Sequence, residues 1–390
     1  MSVSIDLNEN YKELRERVKQ ITDKYPGEYW QRLDVDRIYP SEFVDELSTS
    51  GLLSVLIPTS YGGEGRTLAE AAAVMEEIQA SGANGGACHA QMYIMGTLLR
   101  HGNEDQKQRY LPGIARGELR LQVFGVTEEH TGTDTTKLRT FAKKVDGGFQ
   151  IHGKKFYIGR GQYSDLMLLL ARTTPLEDVK KKTDGLSIFL VDMQEAKKNG
   201  QLVIEPVRTT MNHSLTEIYI NDLFVPDENL VGELGRGFRY ILDAMNAERL
   251  LIASECIGDA RFFLERAVDW ANTRELFGSK IGANQGVQFP IARAYANMKA
   301  AELVVRKGCA VFDAGLPCGE EANTALLLAS ESSWEMGNVA IQTLGGRGFD
   351  ARYDVERKFR ETRLYQVAPI SRNMILAYLS EHVLGLPRSY

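Results

Sequence analysis

The chain has 390 residues, a length at which two or three domains are typical. Hydrophobic residues make up 43% of it and charged residues 25%, and this balance excludes a disordered or collagen-like chain. The 46 lysines and arginines are outnumbered by 52 aspartates and glutamates, which leaves a formal net charge of −6 at pH 7. A surface that binds nucleic acid or anionic lipid throughout is therefore excluded.

The cellular location is predicted from the cysteines, the N-terminus and the apolar runs. The four cysteines form no close pair, so we expect buried thiols in a reducing compartment. The N-terminal residues have neither the apolar core of a signal peptide nor the acid-poor helix of an organelle presequence. The longest uncharged stretch, residues 78–99, contains four glycines and several polar side chains that lipid would not accept. These features predict a cytoplasmic protein without a membrane span.

In chain order, the pattern of the sequence changes twice. Helical patterns come first: residues 68–78 are rich in alanine and glutamate, and residues 104–115 follow a Gly-Asn turn. From about Leu121, short apolar or alternating runs separated by turn residues are typical of β-strands. After the glycine-rich turn at residues 231–237, helical patterns return almost to the C-terminus. We therefore predict three domains, which are helical in residues 1–120, β in residues 121–231 and helical in residues 232–390.

Two glycine motifs resemble nucleotide-binding loops but stand in the wrong context. Residues 148–155 match a phosphate loop except at the last position, and they lie within strand-like sequence rather than before a helix. Residues 346–351 spell G-x-G-x-x-A, but a predicted helix precedes them where a dinucleotide fold requires a strand. The six histidines have no metal-ligand spacing and no nucleophile elbow is present, so neither a metal site nor a hydrolase site is predicted.

One carboxylate falls on an apolar helical face. Projecting the segment that begins at Ile241 at 100° per residue places Glu248 on the same side as the large apolar side chains. A carboxylate facing a core has a raised pKa unless it is paired, and a base poised near neutral pH suits the removal of a proton from carbon. Glu248 is therefore a candidate base. Glu255 and Asp259 lie on nearly the same line, and an ion pair across a helix interface is an alternative role, so position alone does not choose among them.

Six stretches in order resemble the acyl-CoA dehydrogenases. Residues 124–134, FGVTEEHTGTD, resemble the V-T-E-x-x-x-G-S-D signature of that family. Residues 57–78 and 102–118 resemble its N-terminal helical domain. Residues 273–289 resemble its R-x-x-F-G and Gln segment, and residues 342–349 and 359–366 resemble its C-terminal motifs. The resemblance implies an α+β multi-domain fold with an N-terminal helical domain, a central antiparallel β domain and a C-terminal four-helix-bundle domain.

The same resemblance implies a function. Members oxidise an acyl-CoA thioester to the trans-2-enoyl-CoA with FAD, in fatty acid metabolism, and pass the electrons to an electron-transferring flavoprotein. They are homo-oligomers, usually homotetramers, and no metal is implied. The chemistry requires a base on one side of the substrate, a hydride acceptor on the other and hydrogen bonds to the thioester oxygen.

The resemblance also assigns cofactor contacts near the signature. Val126 and Thr127 would lie against the flavin ring, with Phe124 in the same cofactor site. Thr133, which stands at the usual Ser position, would lie near both the FAD pyrophosphate and the pantetheine of the CoA substrate.

Other positions either depart from the family pattern or match contacts to the FAD of a neighbouring subunit. Tyr157 takes the place of a Trp that stacks by the flavin, and Gly159 replaces a Thr whose hydroxyl approaches N5. The positions that match contacts to the FAD of a neighbouring subunit are Arg274, Phe277, Gln285, Gln342 and Gly346. Ser371 and Asn373 would contact the dinucleotide.

The position of the base also departs from the common pattern. Many members carry it in Y-Q-x-Y-E-G-T, where this chain has Ala368 and Pro369 and no carboxylate. A second group, which includes isovaleryl-CoA and long-chain dehydrogenases, carries Glu in a D-x-E-R context on the first helix of the C-terminal domain, and this pattern selects Glu248. Arg249 then matches an arginine near the CoA pantetheine. Pro369 lacks the N–H that binds the thioester oxygen in the family. Three explanations stay open: the ribityl hydroxyl of FAD acts with another N–H, such as that of a neighbour displaced by one residue; the alignment shifts here; or turnover differs from that of the family.

Two alternative functions stay open on this reasoning. One is an oxidase or hydroxylase of the same fold that reacts with oxygen. The other is a non-catalytic member that keeps the fold for assembly or for binding acyl-CoA and FAD, which Gly159 and Pro369 motivate.

Overall fold

The computed structural model describes residues 11–388, and its first part is helical. The helices there are α1 (Lys12–Thr22), α2 (Gly27–Asp36), α3 (Ser41–Thr49), α4 (Leu68–Ala80), α5 (Ala90–His101) and α6 (Glu104–Ala115). Capping boxes begin two of them: Thr67 and Glu70 accept each other's backbone N–H at the start of α4, and Asn103 and Gln106 do so at α6. The helices predicted at residues 68–78 and 104–115 are confirmed as α4 and α6.

The middle of the chain forms an eight-stranded sheet. Its strands are β1 (Leu121–Gly125), β2 (Phe141–Val145), β3 (Gly148–Gly159), β4 (Leu166–Arg172), β5 (Leu186–Asp192), β6 (Leu202–Pro206), β7 (Leu215–Pro226) and β8 (Leu230–Val231). The order across the sheet is β6-β7-β3-β2-β4-β5-β8, and β1 lies beside β4. Most neighbours are antiparallel, as predicted, but β1 and β2 both run parallel to β4. Residues 148–155 lie within β3, which confirms the strand context that excluded a phosphate loop.

Both faces of the sheet are covered. In β4, Leu166, Leu168 and Leu170 belong to the large core shared with the helices, whereas Met167 and Leu169 belong to a second core on the opposite face. Because successive side chains of a strand point to opposite faces, a strand buried on both sides is an unbroken apolar run. One short helix, α7 (Met193–Lys198), follows β5 and was not predicted.

Helices dominate the rest of the chain. Three are long and two are short: α8 (Gly237–Thr273), α9 (Gln285–Asp313), α10 (Gly319–Leu344), α11 (Val355–Thr362) and α12 (Arg372–Tyr378). A small hairpin of β9 (Glu275–Leu276) and β10 (Ser279–Lys280) joins α8 to α9, and a π-helical turn (Leu379–Val383) follows α12. Both short helices pack against α10, so the fourth part of the predicted bundle is divided between them.

Buried charges connect the N-terminal helices to the C-terminal helices. Lys358 is fully buried; it pairs with Asp259 at 2.6 Å and donates to the side-chain oxygen of Gln79 at 2.7 Å. Its neighbour Arg357 donates to the carbonyl oxygen of Gly82 at 2.6 Å. Since α8 also packs directly on α4 and on α5, this junction is held by apolar contacts and by hydrogen bonds from buried charges.

Three further expectations concern membranes, metals and thiols. Among residues 11–388, no helix is long and apolar enough to cross a bilayer. The same residues contain no group of three or more His, Cys, Asp or Glu side chains that could hold a metal ion. The cysteines are confirmed as free, buried thiols, namely Cys88, Cys256, Cys309 and Cys318.

Candidate active site

Glu248 lies on α8 where this helix packs against α5. Its side chain is 6% exposed and forms no ion pair with any residue in the described part of the chain. Burial raises the pKa of Glu248 to about 7, although the charges of Arg249 and Arg160 and a hydrogen-bonding contact with Tyr93 act in the opposite direction. The site therefore contains a nearly enclosed carboxyl group that changes its charge near neutral pH.

The two other carboxylates on this line of α8 are sealed and partnered. Glu255 lies 2.8 Å from Nδ1 of His89 and accepts a hydrogen bond of 2.9 Å from the hydroxyl of Tyr365. Asp259 pairs with Lys358. Both side chains are fully buried. Neither could meet a substrate without leaving its partners, so the geometry favours Glu248 among the three.

Arg249 lies beside the candidate base and is largely enclosed. Its Nη1 donates to the side-chain oxygen of Asn246 at 2.9 Å, and its buried Nε has no partner among the described residues. Burial lowers the pKa of Arg249, whereas Glu248, Tyr378 and Cys318 act to raise it. The residue forms no ion pair with any described carboxylate, which leaves its charge available within the site.

The residues of the V-T-E signature lie at the end of β1 and in the loop that follows. Val126 is 6% exposed, Phe124 and Thr127 are partly buried, and Thr133 is exposed. The carbonyl oxygen of Thr127 accepts the backbone N–H of Phe156 at 2.9 Å, which fixes this loop against β3. The predicted flavin contacts of the signature thus lie where the end of β1 meets β3.

The end of β3 has the form expected of a surface for a planar ring. Tyr157 has a left-handed φ of +54° and exposes 56% of its surface although it is a large aromatic side chain. At Gly159, an added Cβ would meet no atom within 4 Å, so the backbone there is bare toward open space. An exposed aromatic ring beside bare backbone fits the isoalloxazine of FAD, which these residues would hold together with the signature loop.

A second set of predicted cofactor residues lies elsewhere in the chain. Arg274 follows Glu248 by 26 positions, which is about 39 Å along α8 at 1.5 Å per residue. The guanidinium groups of Arg274 and Arg347 both lie over the ring of Trp270, which brings the hairpin close to the loop after α10. The predicted residues at this end are all exposed: Arg274, Phe277, Gln285, Gln342 and Gly346. The structure does not bring them to Glu248 within one chain.

The segment before α12 contains the remaining predicted residues. Ser371 is partly exposed at the start of α12, and Asn373 is exposed in its first turn. Ala368 donates its N–H within the chain at 2.9 Å, and Pro369 has none to donate. The N–H of Ile370 donates to no described residue. It is the first backbone donor after Pro369 that a ligand could use.

Sequence reasoning missed four polar residues around the base, namely Tyr93, His89, His213 and Arg160. Tyr93 and His89 lie one helical turn apart, and a projection of α5 like that of α8 would have placed them on one face. Arg160 follows β3 and His213 precedes β7. No sequence signal connects these two with α5, because their proximity arises only from the tertiary fold.

Comparisons with known proteins place this geometry in a family. Models of the acyl-CoA dehydrogenase N-terminal, middle and C-terminal domains match residues 8–118, 123–223 and 235–377. The chain is similar to a Mycobacterium bovis protein named acyl-CoA dehydrogenase fadE12, with 32% identity over 386 residues and 98% of each chain covered. It is also similar to subunit CarC of the caffeyl-CoA reductase-Etf complex of Acetobacterium woodii, with 30% identity over 84% of this chain and 86% of CarC. Among solved structures, a glutaryl-coenzyme A dehydrogenase in complex with glutaryl-CoA superposes with a TM-score of 0.90 and 26% identity, covering 99% of this chain and 98% of that one.

Proposed function

The chain belongs to the acyl-CoA dehydrogenase family, a family of FAD-dependent enzymes, and we propose that it oxidises an acyl-CoA thioester to the trans-2-enoyl-CoA with Glu248 as the base. The observation that carries the proposal is the environment of Glu248. Its carboxyl group is nearly enclosed, has a pKa of about 7 and is free of ion pairs within residues 11–388. Glu255 and Asp259 are occupied by His89, Tyr365 and Lys358.

The reaction removes a proton from the α-carbon and a hydride from the β-carbon of the acyl group. FAD, when bound, supplies the acceptor for the hydride. Glu248 takes the proton on a carboxylate oxygen, so it has to be ionised before the reaction and neutral after it. A pKa of about 7 suits both states, and the enclosed position of the carboxyl group keeps water away from the charge that develops.

The thioester oxygen needs a hydrogen-bond donor because negative charge develops on it as the α-proton leaves. We propose that the backbone N–H of Ile370 supplies this hydrogen bond. It follows directly after Pro369, which has no N–H, and it donates to no described residue. The donor would therefore be displaced by one residue from its usual position in the family.

The electron acceptor and the assembly are further parts of the proposal. An electron-transferring flavoprotein as acceptor is supported by similarity to CarC, which is named as a subunit of an Etf complex. A homotetramer is supported by the exposed end of α8, where Phe277 is fully exposed. We also propose a role in fatty acid metabolism in the cytoplasm, which agrees with four free thiols.

The proposal is tested with purified protein that contains FAD, followed by flavin absorbance at about 450 nm without oxygen. We expect an acyl-CoA ester to bleach the wild-type flavin. Glu248→Gln should keep FAD but slow the bleaching by at least ~10³-fold, the scale of a missing general base. Glu265→Gln makes the same change at an exposed position of the same helix and should bleach normally.

Each alternative function has its own outcome in this experiment. Normal bleaching by Glu248→Gln would contradict the assignment of the base. A wild-type flavin that no ester bleaches from a panel of straight, branched and aromatic acyl-CoAs would support the non-catalytic alternative. Consumption of oxygen in proportion to the ester would support the oxygen-using variant.

A further inference from the structure

We propose that Arg160 and His213 form a subsite that binds an oxygen atom on the acyl group, so that the preferred substrate is an acyl-CoA with a hydroxyl, carbonyl or carboxylate oxygen beyond its β-carbon. This inference rests on the proposed dehydrogenation and concerns the substrate class. It is carried by two polar side chains near the base whose hydrogen-bonding capacity the described part of the protein uses only in part, for Arg160, or not at all, for His213.

Arg160 is a buried cation without an anionic partner. Its side chain is 5% exposed, and its Nη1 and Nε donate to the carbonyl oxygens of Gly86 and Gln122 at 2.5 and 3.3 Å. It forms no ion pair with any described carboxylate, and its Nη2 donates to none of the described residues. Nη2 is also not among the sealed polar atoms, so it keeps some exposed surface. An enclosed charge of this kind is costly unless a ligand supplies the missing acceptor.

His213 lies next to this arginine. The backbone N–H of Arg160 donates to the carbonyl oxygen of Ser214 at 2.8 Å, which fixes the two segments together. The imidazole packs on Gly86, where any side chain would collide with it. Burial and the charges of Arg160 and His89 lower the pKa of His213 well below its usual value, so the ring is neutral and offers one donor and one acceptor. Neither ring nitrogen has a hydrogen-bond partner among the described residues.

The pair is connected to the base through aromatic contacts. His89 has its ring 6.1 Å from that of His213 and 5.6 Å from that of Tyr93, and Tyr93 contacts Glu248. The charge of Arg160 acts on both Tyr93 and Glu248, which places it within the same site. The carboxylate of Glu255, whose charge also acts on Tyr93, is already occupied by His89 and Tyr365.

Open space borders the elements that carry these side chains. An added Cβ would meet no atom within 4 Å at Gly96, one turn after Tyr93 on α5, or at Gly159, directly before Arg160, where the flavin ring would border the same space. A guanidinium donor beside a neutral imidazole matches an oxygen acceptor, whether neutral or anionic. A plain hydrocarbon in the same place would leave both groups desolvated and unpaired, which is the strongest form of discrimination available to a binding site.

The test compares matched CoA esters that differ only at the end of the acyl chain. At each length from four to eight carbons, the acyl group ends in methyl, hydroxymethyl or carboxylate, as in pentanoyl-, 5-hydroxypentanoyl- and glutaryl-CoA. Anaerobic bleaching of the FAD-containing enzyme gives kcat/KM for each ester. Titration calorimetry with the FAD-containing Glu248→Gln variant gives the Kd of the same esters without turnover.

We expect at least one oxygen-ended series to exceed its methyl-ended match by about tenfold or more in both kcat/KM and affinity, the scale of one charge-assisted hydrogen bond. A preference for hydroxyl over carboxylate, or the reverse, identifies the form of the oxygen. In Arg160→Met the oxygen-ended esters should lose at least about tenfold more than the methyl-ended esters, and Arg160→Lys should recover part of that difference.

The outcomes separate this inference from the proposed function. If methyl-ended esters equal or exceed the oxygen-ended esters at every length in the wild type, the subsite is refuted while dehydrogenation stands. If no ester bleaches the flavin, the proposed function itself fails. If Arg160→Met weakens both kinds of ester equally and shifts the pH profile, Arg160 acts on Glu248 as a positioning residue and the subsite is again refuted.

Discussion

The contact between Tyr93 and Glu248 leads to a pH dependence that can be measured. The hydroxyl of Tyr93 favours the ionised carboxylate and so lowers the pKa of Glu248, which burial holds at about 7. Tyr93→Phe removes only this hydroxyl. A hydrogen bond to a charged group contributes about 1.5 kcal/mol at the lower end of the usual range, and about 1.4 kcal/mol corresponds to one pKa unit. We therefore expect the substitution to raise the pKa of Glu248 by about one unit.

The expected effect on the reaction follows from the ionised fraction of the base. Because Glu248 acts as a carboxylate, activity is present above its pKa and is lost as the pH falls through it. At pH 7, a rise of about one unit lowers the ionised fraction from about one half to about one tenth, so bleaching should slow about fivefold. At pH 9 the base is largely ionised in both proteins, and their rates should agree within about twofold.

Stopped-flow measurement of anaerobic bleaching at saturating acyl-CoA, from pH 6 to pH 9, gives the two profiles. Tyr219→Phe is the matched control, because Tyr219 also donates to a glutamate, Glu217, at 2.8 Å, but on β7. Its profile should coincide with that of the wild type. An unchanged or lower midpoint for Tyr93→Phe, or the same loss at pH 7 and at pH 9, would refute the reasoning.

Two further predictions concern the assembly and the buried charges. Phe277→Ala removes a fully exposed ring, so the free energy of unfolding of a single chain should change by less than ~0.5 kcal/mol. The amount of FAD retained on purification, read from the ratio of flavin to protein absorbance, should fall. Full retention of FAD would contradict a cofactor role for the hairpin. Lys358→Met leaves Asp259 buried without its partner and should lower the free energy of unfolding, measured in urea, by about 3–5 kcal/mol. Adding Asp259→Asn should recover part of this loss. A change below about 1 kcal/mol would show that the pair is not needed for stability.

Local signals were sufficient for much of the fold. The Gly-Asn turn and first-turn acids predicted a helix over residues 104–115, and α6 has those bounds because Asn103 and Gln106 cap it. Helix α7 was missed because its six residues are too few for a helical period to appear, and the side chain of Asp192 starts it. The parallel pairing of β1 with β4 joins segments about 40 residues apart along the chain, and no local pattern encodes such a pairing.

The candidate site was also predictable only in part, because several of its contacts join segments that are far apart along the chain. The helical projection found Glu248, since its position depends on the period of one helix. The choice against Glu255 and Asp259 required their partners His89 and Lys358, which come from distant segments. Side chains whose proximity exists only in the folded chain leave no signature in a single sequence.

The junction between the N-terminal and the C-terminal helices restricts how a substrate can enter. Swinging these two helical regions apart would strip Lys358 from the side-chain oxygen of Gln79 and Arg357 from the carbonyl oxygen of Gly82, and would take these hydrogen bonds from two buried cations. Such a hinge motion would cost about 1.5–3 kcal/mol for each of these hydrogen bonds to a charged group. We therefore expect a substrate to reach Glu248 while the two helical regions stay packed together.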